Sequence, residues 1–384
     1  MLGGQVAPLI PIHQQRAPFP GLGVMGSENI RDSIVNLKPG PGLPAMFARY
    51  KDMVERELSQ AVPVSGDTDL ATMMQYHLGW VDQTGKIAAT PSSQGKALRP
   101  TLCMFACEAL QGDLQQALPA AAALELIHNF SLIHDDIQDQ DLERRHQPTV
   151  WGLWGIPKAL LAGDAMQSLG DLEMLGCHKS SVAPSTTLEV SQILTESYLE
   201  MIKGQCLDLG FESRADITTD DYLQMIACKT GALIRSALHI GALLATRDRQ
   251  STNAFANFGS YLGRAFQIRD DYLGIWGDEN ATGKSSDNDI RRRKKSFPVV
   301  FAFEKTSGSA KDDLIRIYGQ DNLDDSDVER VTAILEEVGA PEYAELLTQE
   351  SAALAVKALE QVDLPSWARA EVAELVEFLA RRQY

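Results

Sequence analysis

The chain has 384 residues, 44% of them hydrophobic, and sets 35 Lys and Arg against 52 Asp and Glu, for a formal net charge of −17. A chain this apolar is not disordered throughout, and one this acidic is not held to nucleic acid by its overall field. At ~150 residues per domain the length admits two or three domains, or one large helical one.

Residues 1–44 hold seven of the 17 Pro and seven Gly without helical or strand period, and read as a disordered or loosely docked extension. From Pro44 onward, long Ala/Leu/Ile-rich segments alternate with short Gly, Pro, Asp and Ser breaks, so the expected class is all-α. The pattern predicts helices over 45–60, 68–83, 96–111, 115–141, 157–177, 186–209, 219–246, 251–275, 297–305, 325–337, 341–360 and 365–382. Thr186 with Glu189 reads as a capping box, and Thr219 stands where an N-cap is wanted. With no repeat and no internal linker, 45–384 is expected to form one domain. Two segments, around 120–140 and 230–270, are apolar on nearly every side, as central helices of a bundle are.

Cys103 and Cys107 lie one helical turn apart without a matching His or Cys pair, which suits core packing better than half a zinc site. Five Cys without disulfide spacing suit a reducing compartment. No run approaches the ~18–20 apolar residues of a membrane span, and no basic start precedes an apolar stretch at the amino terminus. The expectation is a soluble, cytoplasmic protein without stable membrane insertion.

The first central segment contains Ser131-Leu132-Ile133-His134-Asp135-Asp136-Ile137-Gln138-Asp139. At ~100° per residue, Asp135, Asp136 and Asp139 share one helix face, while Asp141 projects away and reads as a surface residue. Three carboxylates so close repel one another unless a cation sits between them, and an all-oxygen set suits Mg²⁺. A second acidic cluster, Gln267-Ile268-Arg269-Asp270-Asp271, ends the other apolar segment, with Asp278 and Lys284 in the Gly-rich stretch beyond. Asp pairs on two central helices can face each other across a bundle.

Cations stand at particular places. Lys96 and Arg99 in Gly95–Pro100 open a helix, where backbone N–H groups also favour anions. Arg144 and Arg145 follow the first cluster, and Arg291 to Lys295 form a run read mainly as a solvated face. Lys229, between Ile226 and Ile234 on an apolar helix, needs an anionic partner. Carboxylates that gather Mg²⁺, with scattered Lys and Arg, describe a site for diphosphates; apolar helices around it describe a site for hydrocarbon. A prenyl diphosphate combines both.

On these residues the sequence resembles the trans-isoprenyl diphosphate synthases of the polyprenyl synthetase family, over about 45–384 and most specifically between 95 and 300, and is most similar to geranylgeranyl diphosphate synthases. Asp135 to Asp139 resembles the family's first aspartate-rich motif and is followed by Arg144 to Thr149. Gly95 to Pro100, Glu125 to His128, Gly204 to Asp208, Lys229-Thr230 and Gln267 to Asp271 match further family elements in the family's order. The resemblance implies an isoprenoid synthase bundle around a central cavity. It also implies Mg²⁺, about three ions per site, held by Asp135, Asp139 and Asp270 and supported by Asp136 and Asp271. Arg144, Lys229 and Lys284 would contact the allylic diphosphate; Lys96, Arg99, His128 and Arg145 would hold isopentenyl diphosphate. Thr230 and Gln267 would turn oxygen dipoles toward an allylic cation. A homodimer is implied as well.

The chain departs from the family pattern at Gly274, where a third aspartate is usual, at Trp151, and at Arg293 and Ser296 around Lys294. Phe130, five positions before the first aspartate, with small Ser131 next to it, resembles the arrangement that stops growth at C20; C15 is the next expectation. A class I terpene cyclase would have no use for Lys96, Arg99 and His128 together. A catalytically silent partner subunit is the other alternative, allowed by Gly274 and Arg293.

Overall fold

The computed structural model describes residues 44–63, 69–88, 95, 97–277 and 287–381. Chain order begins with α1 (Ala45–Ala61), α2 (Asp69–His77), α3 (Leu98–Ala109) and α4 (Leu114–Gln138). A small hairpin of β1 (Glu143–Arg144) and β2 (Gln147–Pro148) follows, then α5 (Val150–Trp154), α6 (Ile156–Leu175) and α7 (Pro184–Phe211). Next come α8 (Thr219–Ile226), a π-helical turn (Ala227–Gly231), α9 (Ala232–Ala245) and α10 (Arg249–Trp276). The rest is α11 (Asn288–Arg291), α12 (Phe297–Lys305), α13 (Gly308–Tyr318), α14 (Asp325–Glu337), α15 (Ala340–Ala358) and α16 (Ser366–Arg381). The all-α expectation holds, and no helix of the described residues is long and apolar enough to cross a membrane.

The two all-round apolar segments are the innermost rods. In α4, Ala120 to Leu124, Leu126 and Ile127 are fully buried, and in α9 so are Leu233, Ile234, Ala237, Leu238 and Ile240. A run of Ala in α4 keeps that helix thin, so α6 and α3 pack closely against it. Cys103 and Cys107 sit in this same core, as their spacing suggested. Close crossings are set by glycine: a Cβ on Gly241 would stand 2.1 Å from the Cys103 carbonyl oxygen. There α9 crosses α3 backbone to backbone.

Local expectations are corrected in four places. Thr186 lies inside α7, which begins at Pro184, and its hydroxyl accepts from Arg247 instead of capping. The cap before α8 is Thr218, not Thr219, in a capping box with Asp221. Residues 219–246 form one rod as expected, but with the π turn inside it. Gly308–Tyr318 is helical although it is not among the expected helices. The hairpin at 143–148 is also new: Arg145 (φ 53°) and His146 (φ 61°) make the two-residue turn that the twist of paired strands requires, normally left to Asn-Gly. Two bulky residues there place strain beside an acidic cluster.

Candidate active site

Two cavities meet inside the bundle. One, of about 540 Å³, runs past Phe130, Ser131, Asp135, Met201 and Phe266 and reaches Arg99, His128 and Arg145. The other, of about 590 Å³, is lined by Asp139, Asp208, Asp271, Asp289 and Lys294 among others. Lys229, Thr230, Gln267 and Asp270 line both. The 135–139 and 267–271 clusters therefore face one space, across the junction of an apolar and a charged chamber.

On the α4 side the three aspartates are held differently. Asp135 lines the first cavity, and burial pushes its carboxyl up to about 6, with Asp139 and Asp208 adding to the rise and Lys229 and Arg144 opposing it. Asp136 is 1% exposed and turns away to Arg144, whose Nε and Nη2 lie 2.8 Å and 2.7 Å from its Oδ1, while its Oδ2 is buried without a partner. Asp139 caps the helix end and opens into the second cavity. The hairpin thus delivers Arg144 to the acidic face eight residues earlier in the chain.

Lys229 sits on the π turn, whose wider winding carries it to α7. Its Nζ donates to Asp208 Oδ2 at 2.5 Å. Burial would lower the ammonium's pKa, but Asp208, Asp135 and Asp139 outweigh it and hold the group above its ordinary value. The close approach needs Gly204, where a Cβ would lie 2.3 Å from the Lys229 backbone nitrogen. Gly204 and Asp208, one turn apart, are thus the seat and the anionic partner that an apolar-helix lysine requires.

On α10, the Thr230 hydroxyl donates to Gln267 Oε1 at 2.7 Å, and Gln267 Nε2 donates to Asp271 Oδ1 at 3.0 Å. Asp271 Oδ2 also accepts from the Tyr222 hydroxyl and from the Phe297 backbone N–H at 2.9 Å. Burial nevertheless pushes this carboxyl up to about 7, because its three donors are neutral. Asp270, next to it, is exposed at the junction.

The far end of the first cavity is cationic. Burial pulls the Arg99 guanidinium down to about 10 against the pull of Glu125, and its Nε has no hydrogen-bond partner. Arg145 is likewise lowered, first by burial and then by Arg144. Gly95 leaves room for it, since a Cβ there would stand 2.5 Å from Arg145 Nη2. Burial, then Arg99, Arg145 and Arg144, keep His128 well below its usual pKa, so the ring is neutral at pH 7. Two arginines, a neutral imidazole and one Glu125 held by Asn129 at 3.0 Å make a pocket awaiting an anion.

Of the residues singled out from the sequence, Arg99, His128, Phe130, Asp135, Arg144, Arg145, Lys229, Thr230, Gln267 and Asp270 line the first cavity, and Asp139 and Asp271 the second. Asp136 lines neither and reaches the site through Arg144. Lys96, Lys284 and Asp278 lie outside the described residues. Asp141, expected on the surface, is ion-paired with Arg292, and its carbonyl accepts from Trp151 Nε1 at 2.7 Å. The 291–295 run is correspondingly not just a solvated face: Arg291 pairs with Asp287 and Asp325, and Lys295 lies over the Phe303 and Tyr318 rings. Asp208 ends the Gly204 to Asp208 family element, and the need of Lys229 for an anion also signals it, whereas Tyr222 and Asn129 belong to no motif of the sequence reading.

Among the described residues no three His, Cys, Asp or Glu side chains converge as a ready-made metal cage. The donor set is nonetheless all oxygen on two facing helices, with Asp135 uncompensated enough to be half-protonated near pH 6. That suits Mg²⁺, which takes one or two carboxylates and fills its shell with water and phosphate oxygens.

Residues 83–335 match the family model described as polyprenyl synthetase. The chain is 37% identical over 321 residues to the (2E,6E)-farnesyl diphosphate synthase of Mycobacterium tuberculosis, covering 83% of this chain and 87% of that one. It is 39% identical over 315 residues to the geranylgeranyl diphosphate synthase of the same organism, covering 80% and 88%. Its fold is similar to the crystal structure of geranylgeranyl pyrophosphate synthase from Corynebacterium glutamicum complexed with isoprenyl diphosphate and magnesium (TM-score 0.75, 26% identity, 88% and 99% covered).

Proposed function

This chain belongs to the polyprenyl synthetase family and is a short-chain trans-prenyl diphosphate synthase, and we propose that it condenses isopentenyl diphosphate with an allylic diphosphate and stops preferentially at C20. The observation that carries the reading is the shared rim: Lys229, Thr230, Gln267 and Asp270 border both an apolar chamber and a charged one. A substrate lying at that rim has its tail in the first and its diphosphate at the junction, between Asp135 and Arg144 on one side and Asp139 on the other.

The chain's own residues do the following. Arg144 and Lys229 neutralise the allylic diphosphate as its C–O bond breaks, each already steered by a carboxylate, Asp136 and Asp208. Mg²⁺ held by Asp135, Asp139 and Asp270 supplies further charge stabilisation of that leaving group when bound. Thr230 spends its proton on Gln267, so its oxygen lone pairs are left for the allylic cation. Arg99, Arg145 and neutral His128 hold the diphosphate of isopentenyl diphosphate at the other end, with Lys96 joining them from outside the described residues. Its C3–C4 double bond attacks C1, and the proton at C2 leaves to the released diphosphate. Phe130, Met201 and Phe266 keep water from the cation.

Chain length rests on Phe130. Its ring is 3% exposed and is held edge-on by His134 (5.5 Å) and Tyr198 (6.3 Å), a fixed stop on the cavity wall. The test is product analysis from C5, C10 and C15 primers with isopentenyl diphosphate and Mg²⁺. A C20 product is expected from wild type and longer chains from Phe130→Ala; C15 from both would overturn the assignment. We further propose a homodimer through α6 and α7, which expose Leu160, Leu161, Leu172, Leu188 and Leu199. Sedimentation should give a dimer at micromolar concentration, and a monomer there refutes it.

A further inference from the structure

Behind the hairpin lies a third, small cavity of about 20 Å³, bordered by His77 at the end of α2 and by Asp136, Arg144, Arg145 and Gln147. Two of these residues carry a buried atom without a hydrogen-bond partner, His77 Nε2 and Asp136 Oδ2. The other oxygen of buried Asp136 is already taken by Arg144. One residue before His77, the Tyr76 hydroxyl donates to the Pro148 carbonyl at 2.8 Å, so α2 is fastened to this hairpin. Burial first, then Arg145 and Arg144, keep His77 well below its usual pKa and hence neutral. Asn129 is its side-chain partner, and the amide N–H groups of Asn129 are spent on the Glu125 carbonyl at 2.8 Å and on Glu125 Oε1 at 3.0 Å. The imidazole proton therefore goes to the Asn129 oxygen, and Nε2 keeps its lone pair. That lone pair and a carboxylate oxygen are two acceptors, which cannot bond each other. The cavity they share calls for a ligand with two donors, without positive charge beside two arginines, and no larger than a single water.

We propose that this cavity binds one water, donating to His77 Nε2 and to Asp136 Oδ2, and that through it His77 is a positioning residue for Arg144 and Arg145. The water's own lone pairs are left for the arginine N–H groups around it. The bridge holds the carboxylate that steers Arg144, and it ties α2 to a turn whose Arg145 and His146 stand at positive φ. The role, though not the water, rests on reading the two arginines as diphosphate ligands.

Two measurements on the full chain test it. A crystal structure of the wild-type protein should show an ordered water about 2.7–3.2 Å from both atoms; no water there, or a direct contact between His77 and Asp136, overturns the site even if no variant folds. Steady-state kinetics test the role. His77→Leu, which removes the acceptor, should raise the KM for isopentenyl diphosphate about tenfold, more than it lowers kcat, and His77→Gln, whose amide oxygen restores an acceptor, should recover most of that loss. Wild-type KM in His77→Leu overturns the role, as do equal losses in both variants or a fall in apparent kcat alone, which is what a partly unfolded enzyme would give. Arg144→Ala and Arg145→Ala separate the two failures: wild-type KM values in both would mean that the arginines hold no diphosphate, and the role of His77 would fall with that reading while the crystallographic water still decided the site.

Discussion

The two acidic clusters do similar work with opposite electrostatics. Asp136 on α4 is matched by a full positive charge, the Arg144 fork, whereas Asp271 on α10 is matched by a phenol, an amide and one backbone N–H. A guanidinium cancels charge; neutral donors only orient it. Burial raises the Asp136 carboxyl as well, but there the Arg144 charge opposes the rise, while the α10 side, held by neutral donors, keeps its carboxyl near 7 until a cation comes. The difference teaches that one wall of the site is built by an ion pair within the chain and the other is completed by its ligand.

The strongest way to break this contrast is to remove one carboxyl from each side. Asp135→Ala should lower kcat by ~10³ or more and leave thermal stability unchanged or raised, since Asp135 is half-buried without a direct ion pair. Asp271→Ala should lower kcat too, but also unfold earlier, because Tyr222 and Phe297 N–H lose their acceptor at ~1–3 kcal/mol each. Equal melting temperatures for both variants would erase the distinction. Next in size, Lys229→Ala should lower kcat by ~10² and leave Asp208 unmatched; steady-state kinetics with the conservative Lys229→Arg should recover part of the loss.

Acidity sharpens the comparison. Asp135 and Asp271 rise from an ordinary 3.8 to about 6 and about 7, so both bind protons more tightly folded than unfolded. Stability contributed by their protonated forms is full below pH 3.8 and is lost as pH rises toward 6 and 7. The substrate-free chain should therefore melt lower at pH 7.5 than at pH 5.5 as far as these groups decide it, while Mg²⁺–pyrophosphate binding strengthens over the same interval and releases protons. Calorimetry in two buffers of different ionisation enthalpy counts them; zero release contradicts the raised carboxyls. The smallest effect belongs to Tyr222→Phe: loss of one neutral donor should raise the Asp271 pKa further and move the acid limb of kcat/KM upward by less than about one pH unit.

Much of this was legible from residue order. Long apolar segments announced a helical bundle, and paired aspartates with isolated cations announced diphosphate chemistry, because both signals are local in sequence. What was hidden depends on partners far apart. Asp208 meets Lys229 only because Gly204 admits the π turn. Asp141 reads as a surface acid on a helical wheel, but the helix ends at Gln138 and the chain turns it toward Arg292. Nor does residue order say that the Asp289 carboxyl lies where a side chain on Gly274 would stand, 2.1 Å from a Cβ built there.

The π turn at Ala227–Gly231 has a consequence for how this rod can vary. A wide turn holds one surplus residue relative to ordinary winding, so it is a phase shifter between α8 and α9. Deleting a single residue there would let the rod rewind continuously while both flanking helices kept their seats. The cost would fall on the lysine, swung by roughly a quarter-turn from its acid. A protein that folds fully yet has gone catalytically silent is then one codon away.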